Sequence, residues 1–371
     1  RKGFEGPSFV LFVQPKNPER EVWTGIRSGV AGAIESYGAD EAYSVDELDK
    51  ELERLLQNVE RLYFSFGHQP EHEPRINELL GRLRRGRKGG LGPRSIEDAA
   101  AFLGEFRLFK TEAEITLMRT GAQVTDEAHR AAMRQVRPGM FEYEIDALLE
   151  YTFRRRGAWG SAYTSIVGGG ANACILHYIE NSSPFKKGDL MLIDAGAEID
   201  GFATDVTRTS PVSGSFSAPQ ADLYNAVLLS QEAAIKATRP GATLEAIHQG
   251  VVRSLTSSML ELGLLTGALE ELINTEAYKR YYMHRTSHWL GLDVHDVGDY
   301  RIDGRWRQLE PGMVLTIEPG IYIAADNNKV AKRWRGIGIR IEDDVAVTEA
   351  GCDVLTADVP KRADDIEALM S

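Results

Sequence analysis

Cysteine is almost missing from this 371-residue chain: Cys174 and Cys352 are too few for a disulfide framework and fit a reducing cytoplasm. Long apolar runs are missing as well; none approaches the roughly 18–20 residues of a membrane span. Positive charge is in deficit, with 43 Lys and Arg against 55 Asp and Glu and a formal net charge of −12. That balance argues against nucleic acid or anionic lipid as the main partner. The chain opens Arg1-Lys2-Gly3, with no initiator Met and no signal-type apolar region, so native N-terminal residues are expected to be missing. What is present is ordinary for a folded protein. Hydrophobic residues at 43% and charged residues at 26% exclude wholesale disorder, and the length suits two or three domains.

The first hundred residues read as a small α/β unit. Ser8 to Val13 and Leu62 to Phe66 have strand length, while Leu48, Leu52, Leu55 and Leu56 have helical spacing within Val45 to Val59. Leu83 to Arg94 crowds Arg and Lys among glycines and a proline, and reads as a solvated linker with the domain boundary close after it. We expect domains at 1–104 and 105–371.

The longer part repeats itself. Thr111-Glu-Ala-Glu114 is a capping box for a helix running to about Val136, Arg137-Pro-Gly139 stops it, and Phe141 to Phe153 resumes a helix. The same helix, Arg-Pro-Gly and helix recur from Ala221 to Leu260, around Arg239-Pro-Gly241. Gly188-Asp-Leu-Met-Leu-Ile-Asp194-Ala-Gly196 then matches Gly312-Met-Val-Leu-Thr-Ile-Glu318-Pro-Gly320, glycine for glycine and acid for acid. Two echoes in the same order predict a duplicated α+β half-domain.

The acids in these strands are unusual. Leu190 to Asp194 is an apolar strand that ends in a carboxylate; Asp200-Gly201 marks a hairpin, and Phe202 to Thr209 is expected as the returning strand carrying Asp205. Val314 to Ile317 ends at Glu318, and Ile337 to Val347 is expected as a strand carrying Arg340 and Glu342 on one face. Burying four carboxylates together costs many kcal/mol unless cations neutralise them. Two divalent ions would do so, and oxygen-rich ligation with one imidazole suits Mn²⁺, Co²⁺ or Zn²⁺. Three of the eight histidines, His284, His288 and His295, fall between Met283 and Gly298, and His177 closes Cys174-Ile-Leu-His-Tyr178. His68, His72, His129 and His248 read as core or surface residues.

The strings N-A-C-I-L-H-Y, I-D-A-G…G-F-A-T-D-V-T-R-T, S-H-W-L-G-L-D-V-H-D-V-G, L-T-I-E-P-G-I-Y and G-I-G-I-R-I-E-D-D resemble the Xaa-Pro aminopeptidase (aminopeptidase P) branch of the pita-bread metallopeptidases. The resemblance covers about residues 105–371. It implies an α+β fold: a C-terminal pita-bread catalytic domain with pseudo-twofold duplication, preceded by a smaller creatinase-like α/β domain. It further implies that Asp194, Asp205, His288, Glu318 and Glu342 hold two metal ions, most readily Mn²⁺. Asp205 and Glu342 would bridge both, Asp194 would complete one site, and His288 with Glu318 the other. Water between two such cations becomes acidic enough to attack near neutral pH. Glu318 would pass a proton toward the leaving proline nitrogen. His177 and His295 would stabilise the oxyanion, His284 would line the proline-side pocket, and Arg340 would hold a ligand carboxylate in orientation.

Tyr322 and Asp296 are weaker candidates for supporting roles. One departure from the usual bacterial pattern is Arg285, where glycine is expected after the first histidine of the third motif; it would narrow the pocket, reach a substrate carboxylate or point away. The implied reaction removes the first residue from a peptide with proline second, in the cytoplasm, by a homodimer or homotetramer. A prolidase restricted to Xaa-Pro dipeptides is the alternative within the same chemistry. A metal-free peptide-binding relative is the alternative outside it, and a methionine aminopeptidase would have no use for the N-terminal domain.

Overall fold

Val10–Val13, the apolar run between Ser8 and the prolines, pairs in parallel with Glu41–Ser44. The helices Pro18–Thr24 and Gly29–Tyr37 connect the two strands. Arg61–Tyr63 pairs in parallel with Ser95–Glu97, and parallel pairs joined through helices are the signature of an α/β unit. The structure, a computed structural model, describes residues 6–68, 70–85 and 92–371. Its chain forms two compact units, Arg1–Phe102 and Leu103–Ser371. The expected linker is corrected at its start. Leu83, Arg84 and Arg85 end the helix Glu73–Arg85, whose apolar face buries Ile76, Leu79, Leu80 and Leu83. Its basic last turn complements the helix dipole. Residues 86–91 of that stretch lie outside the described residues.

The second unit is built as two similar halves. Glu112–Gln135 starts at the predicted capping box, with Thr111 and Glu114 bonding reciprocally, and packs on Glu142–Arg155. Val136 to Gly139 separates them, where Pro138 has no N–H to continue a helix. In the second half Ala218–Ala237 packs on Leu244–Glu261 across the same Arg-Pro-Gly break. Each half packs a set of its own apolar side chains, and Met133 and Leu190 of the first half also join the second half's cluster. Val124, Ala128, Ile145, Phe153, Val167 and Ile193 pack together in the first; Leu223, Val227, Val251, Leu255, Ile317 and Ile339 pack together in the second.

The sheets follow the helices. Leu190–Asp194 lies between Ile166–Gly169 and Thr207–Pro211, antiparallel to both, and every residue of it is buried. In the second half Val314–Ile317 pairs with Asp343–Val347, and Gly320–Ile323 pairs with Ile337–Arg340. The halves join where Ile337–Arg340 meets Thr207–Pro211. There the Arg340 amide donates to Thr209 Oγ1 at 3.2 Å and the Glu342 amide to the Thr207 carbonyl at 3.0 Å. This seam brings acids more than a hundred residues apart within reach of one another. No helix among the described residues is long and apolar enough to cross a membrane.

His129 belongs to the core, as expected. Its Nε2 donates to the Ala195 carbonyl at 3.0 Å in a fully buried setting, and that burial pushes its pKa down to about 4. The native state therefore binds fewer protons than the unfolded chain between about pH 6.5 and 4, so His129 loses its stabilising contribution as pH falls through that window. Relative to His129→Gln, the native protein should lose about 1.4 kcal/mol per pH unit on acidification there. Unfolding midpoints of both proteins at pH 7, 6 and 5 check this; parallel curves would refute it.

Candidate active site

The acids are delivered by strand ends and strand interruptions. Asp194 closes its strand opposite Thr207. The Asp200-Gly201 hairpin forms as predicted, with both residues at positive φ, between Ala197–Ile199 and Phe202–Ala203. The expected continuous strand from Phe202 to Thr209 is corrected: it breaks at Thr204–Val206, and Asp205 sits in the break. The cause is local. Gly196 admits the Thr204 carbonyl so closely that a Cβ there would lie 1.7 Å from its oxygen. The Asp205 amide is taken by Asp344 Oδ2 at 3.1 Å instead of a ladder partner. The expected strand from Ile337 to Val347 is likewise two strands, Ile337–Arg340 and Asp343–Val347, which pair with different neighbours. Glu342 sits at the change-over.

Asp205, His288 and Glu342 each offer a donor atom, and the three atoms lie within 4.8 Å of one another. His288 Nε2 is 3.4 Å from Asp205 and 3.7 Å from Glu318; its Nδ1 bonds the Trp289 carbonyl at 3.0 Å. That second contact fixes the ring so that Nε2 faces the acids. Arg340 Nη2 meets Asp194 Oδ2 at 2.5 Å, its Nε donates to Thr207 Oγ1 at 3.0 Å, and its Nη1 to the Tyr322 hydroxyl at 3.1 Å. Thr207 Oγ1 in turn donates to Glu342 at 2.6 Å. Tyr322 also bonds His284 Nε2 at 2.9 Å, and His284 Nδ1 lies 3.6 Å from Glu318.

Burial dominates the electrostatics. It pushes Glu318 up to about 7 against the pull of His288 and Arg340. Burial, reinforced by Asp205, Glu318 and Asp194, holds Glu342 well above the usual carboxylate range. Asp194 is raised by burial despite Arg340. Asp205 goes the other way, since the bonds from His288 and Tyr163 overcome its burial and hold it low. His288 is lowered by burial but raised more by Asp205 and Glu318, to about 9. Burial and Arg340 push His284 down to about 3, and burial and His288 lower His295. Four carboxylates thus face one guanidinium and one imidazole. This donor set fits divalent cations, which would relieve the strained ionisation of Glu342 and Asp194.

All nine expected site residues line one cavity of about 830 Å³: His177, Asp194, Asp205, His284, His288, His295, Glu318, Arg340 and Glu342. The rings of His288 and His295 meet edge to face, 4.4 Å apart. Asp296 is elsewhere. It is buried against Lys110 Nζ at 3.2 Å and Arg107, beneath the segment that carries His295. Tyr163 was not anticipated. Its hydroxyl donates to Asp194 at 2.6 Å and also contacts Asp205, yet no periodicity or spacing around Ser161 to Ile166 marks it.

A buried acid-rich pocket with an imidazole, at the seam of a duplicated α+β unit, defines a metallohydrolase type of site. The family model "Metallopeptidase family M24" matches residues 116–349, and "Aminopeptidase P, N-terminal domain" matches residues 2–63. The Xaa-Pro aminopeptidase of Escherichia coli K12 is 44% identical over 362 residues, spanning 97% of this chain and 82% of that one. The structure of Pseudomonas aeruginosa aminopeptidase PepP superposes with a TM-score of 0.97 at 49% identity, covering 99% of this chain and 84% of that one. Zn-substituted E. coli aminopeptidase P in complex with product superposes with a TM-score of 0.94 at 44% identity, covering 97% and 82%. The chain belongs to metallopeptidase family M24, in its Xaa-Pro aminopeptidase (aminopeptidase P) branch, and has the pita-bread fold of that branch.

Proposed function

We propose that this protein is a metal-dependent aminopeptidase that removes the first residue from peptides with proline in second position. The observation that carries the reading is the buried, net-negative cluster of Asp194, Asp205, Glu318 and Glu342 around His288, open to a peptide-sized cavity. Those five residues would hold two divalent cations, Mn²⁺ first, with Co²⁺ and Zn²⁺ also suited to the donors. Bound there, the cations would polarise the scissile carbonyl and make water a usable nucleophile near neutral pH.

The chain's own groups do the rest. Glu318, at the edge of the acid cluster within reach of both His284 and His288, would accept a proton from the attacking water and return it to the proline nitrogen as the bond breaks. His177 and His295 line the cavity and offer ring N–H donors to the oxygen that becomes negative. His284, kept neutral and held by Tyr322, lines the proline side. Arg340 orients Asp194 and, through Thr207, Glu342. A dedicated pocket is needed because the Xaa-Pro amide has no N–H and its φ is fixed.

The division into residues 1–104 and 105–371 as creatinase-like and catalytic domains draws support from the two family matches. Two free cysteines support a cytoplasmic site of action, and assembly as a homodimer or homotetramer completes the proposal. Mass spectrometry of Arg-Pro-Pro-Gly-Phe and of Ala-Pro, with Mn²⁺ and then EDTA, tests it. Release of Arg from the pentapeptide, abolished by chelation, is expected. Cleavage of the dipeptide alone would make the protein a prolidase. Silence on both after Mn²⁺, Co²⁺ and Zn²⁺ are each restored would overturn the catalytic reading.

A further inference from the structure

The cavity is charged unevenly. Its acids gather around His288, whereas on the His284 side the wall carries Arg285 beside Leu244 and Trp306. Arg285 is presented on a fixed backbone. Its carbonyl accepts His284 Nδ1 at 2.7 Å. The next residue, Thr286, is buried, bonds His248 Nδ1 at 2.8 Å and Tyr282 at 2.7 Å, and takes the Glu318 amide on its carbonyl at 2.9 Å. The guanidinium carbon lies 5.2 Å from the Trp306 ring centroid, and that of Arg301 lies 4.4 Å from the same ring. Arg285 Nη2 donates to Glu245 Oε2 at 2.6 Å, while Glu245 Oε1 takes Gln249 Nε2 at 2.9 Å.

This arrangement leaves a usable donor. The Arg285 side chain is 50% exposed, and only Nη2 of its guanidinium is engaged by Glu245. A guanidinium has five N–H donors in a planar fork that matches a carboxylate. Stacking beside Trp306 limits the rotamers that would have to be frozen on binding, which lowers the entropic cost of recognition.

We propose that Arg285 is a specificity-determining residue that reads a carboxylate on the residue following proline. This rests on the orientation in the proposed function, with the scissile bond at the acidic cluster and the proline beside His284. The chain leaving the proline then passes Arg285. A tripeptide presents its C-terminal carboxylate there, and a longer peptide presents an Asp or Glu side chain. Either would take the free edge of the guanidinium while Glu245 keeps the other.

The test compares kcat/KM for Ala-Pro-Ala with Ala-Pro-Ala-amide, and for Ala-Pro-Asp-amide with Ala-Pro-Asn-amide, using the Mn²⁺-loaded enzyme. The first pair reports on a terminal carboxylate and the second on a side-chain one. In at least one pair the acid should be preferred by about tenfold, mostly through KM, as expected of a charge-assisted bond at a half-exposed group. That preference should shrink as NaCl is raised, a readout needing no variant. Arg285→Gln should bring the ratio to about one whatever happens to the absolute rates. Glu245→Gln should raise the ratio, because it removes the competing carboxylate. An unchanged ratio in Arg285→Gln overturns the inference, as does an equal rise for acid and amide, which would make Arg285 a steric wall only. If the enzyme cleaves none of these peptides but does cleave others, the orientation assumed here fails. If it cleaves no Xaa-Pro peptide at all, the proposed function falls and this inference with it.

Discussion

Glu342→Gln is expected to lower kcat/KM on Xaa-Pro peptides by about a thousandfold while making the chelated protein more stable at neutral pH. The two effects share one cause. Glu342 is buried among Asp194, Asp205 and Glu318, and its carboxyl is held well above the ordinary range. In the chelated protein this is a cost of folding: the native state binds a proton that the unfolded chain has released above about pH 4.5, so the penalty grows as pH rises from there. Glutamine keeps the acceptor for Thr207 Oγ1 and cannot ionise, so it escapes the penalty. It also removes a charged donor from the only three-residue donor group that could hold a cation among the described residues. Metal catalysis contributes several kcal/mol of transition-state stabilisation, which sets the thousandfold scale. Metal content by mass spectrometry, together with unfolding midpoints with and without EDTA at pH 4.5 and 7.5, separates the parts. A variant that keeps a full metal complement and wild-type turnover would remove Glu342 from the site.

The second large effect concerns a residue outside the cavity. Arg208→Met should cost about 3–5 kcal/mol of stability, the range for stranding one member of a buried ion pair. The Arg208 side chain is 1% exposed and pairs with Asp343 at 2.7 Å, while Lys361 reaches the other Asp343 oxygen at 2.6 Å. Arg208 also donates to the carbonyls of Thr207, Val359 and Pro360 at 3.0 Å and to that of Glu342. It thus ties the first half's last strand to the second half's active-site strand. Arg208→Met with Asp343→Leu should cost less than the sum of the two single variants, because both singles break the same buried pair, while Lys361 still loses its carboxylate. Urea midpoints followed by tryptophan fluorescence measure both; a single variant within about 1 kcal/mol of wild type would contradict this account.

Some of this protein was legible from neighbouring residues alone. Thr111 and Glu114 define a cap, Asp200-Gly201 defines a hairpin, and an apolar run ended by an acid marks Asp194 and Glu318. Each is a property of a few adjacent residues and their backbone preferences, so no tertiary knowledge is needed. The duplication was legible because both copies keep the same local grammar of helix, Arg-Pro-Gly, helix and acid-tipped strand. The linker expected from Leu83 failed at its start for the opposite reason. Composition signalled solvent, while the burial of Ile76, Leu79, Leu80 and Leu83 on one helix face decided the fold of Leu83 to Arg85.

By itself the sequence singled out the carboxylates and histidines that meet in one cavity, because they stand out against apolar strands that have no other use for them. Tertiary structure alone decided that Tyr163 meets Asp194 and Asp205, that Arg285 pairs with Glu245, and that Arg208 bridges the two halves. It also decided that the strands break at Asp205 and Glu342. Those outcomes follow from how closely packed segments approach one another, across the seam at Arg340 against Thr207 and Thr209 and within the first half at Gly196 against Thr204, and such distances are not encoded in the spacing of residues along the chain.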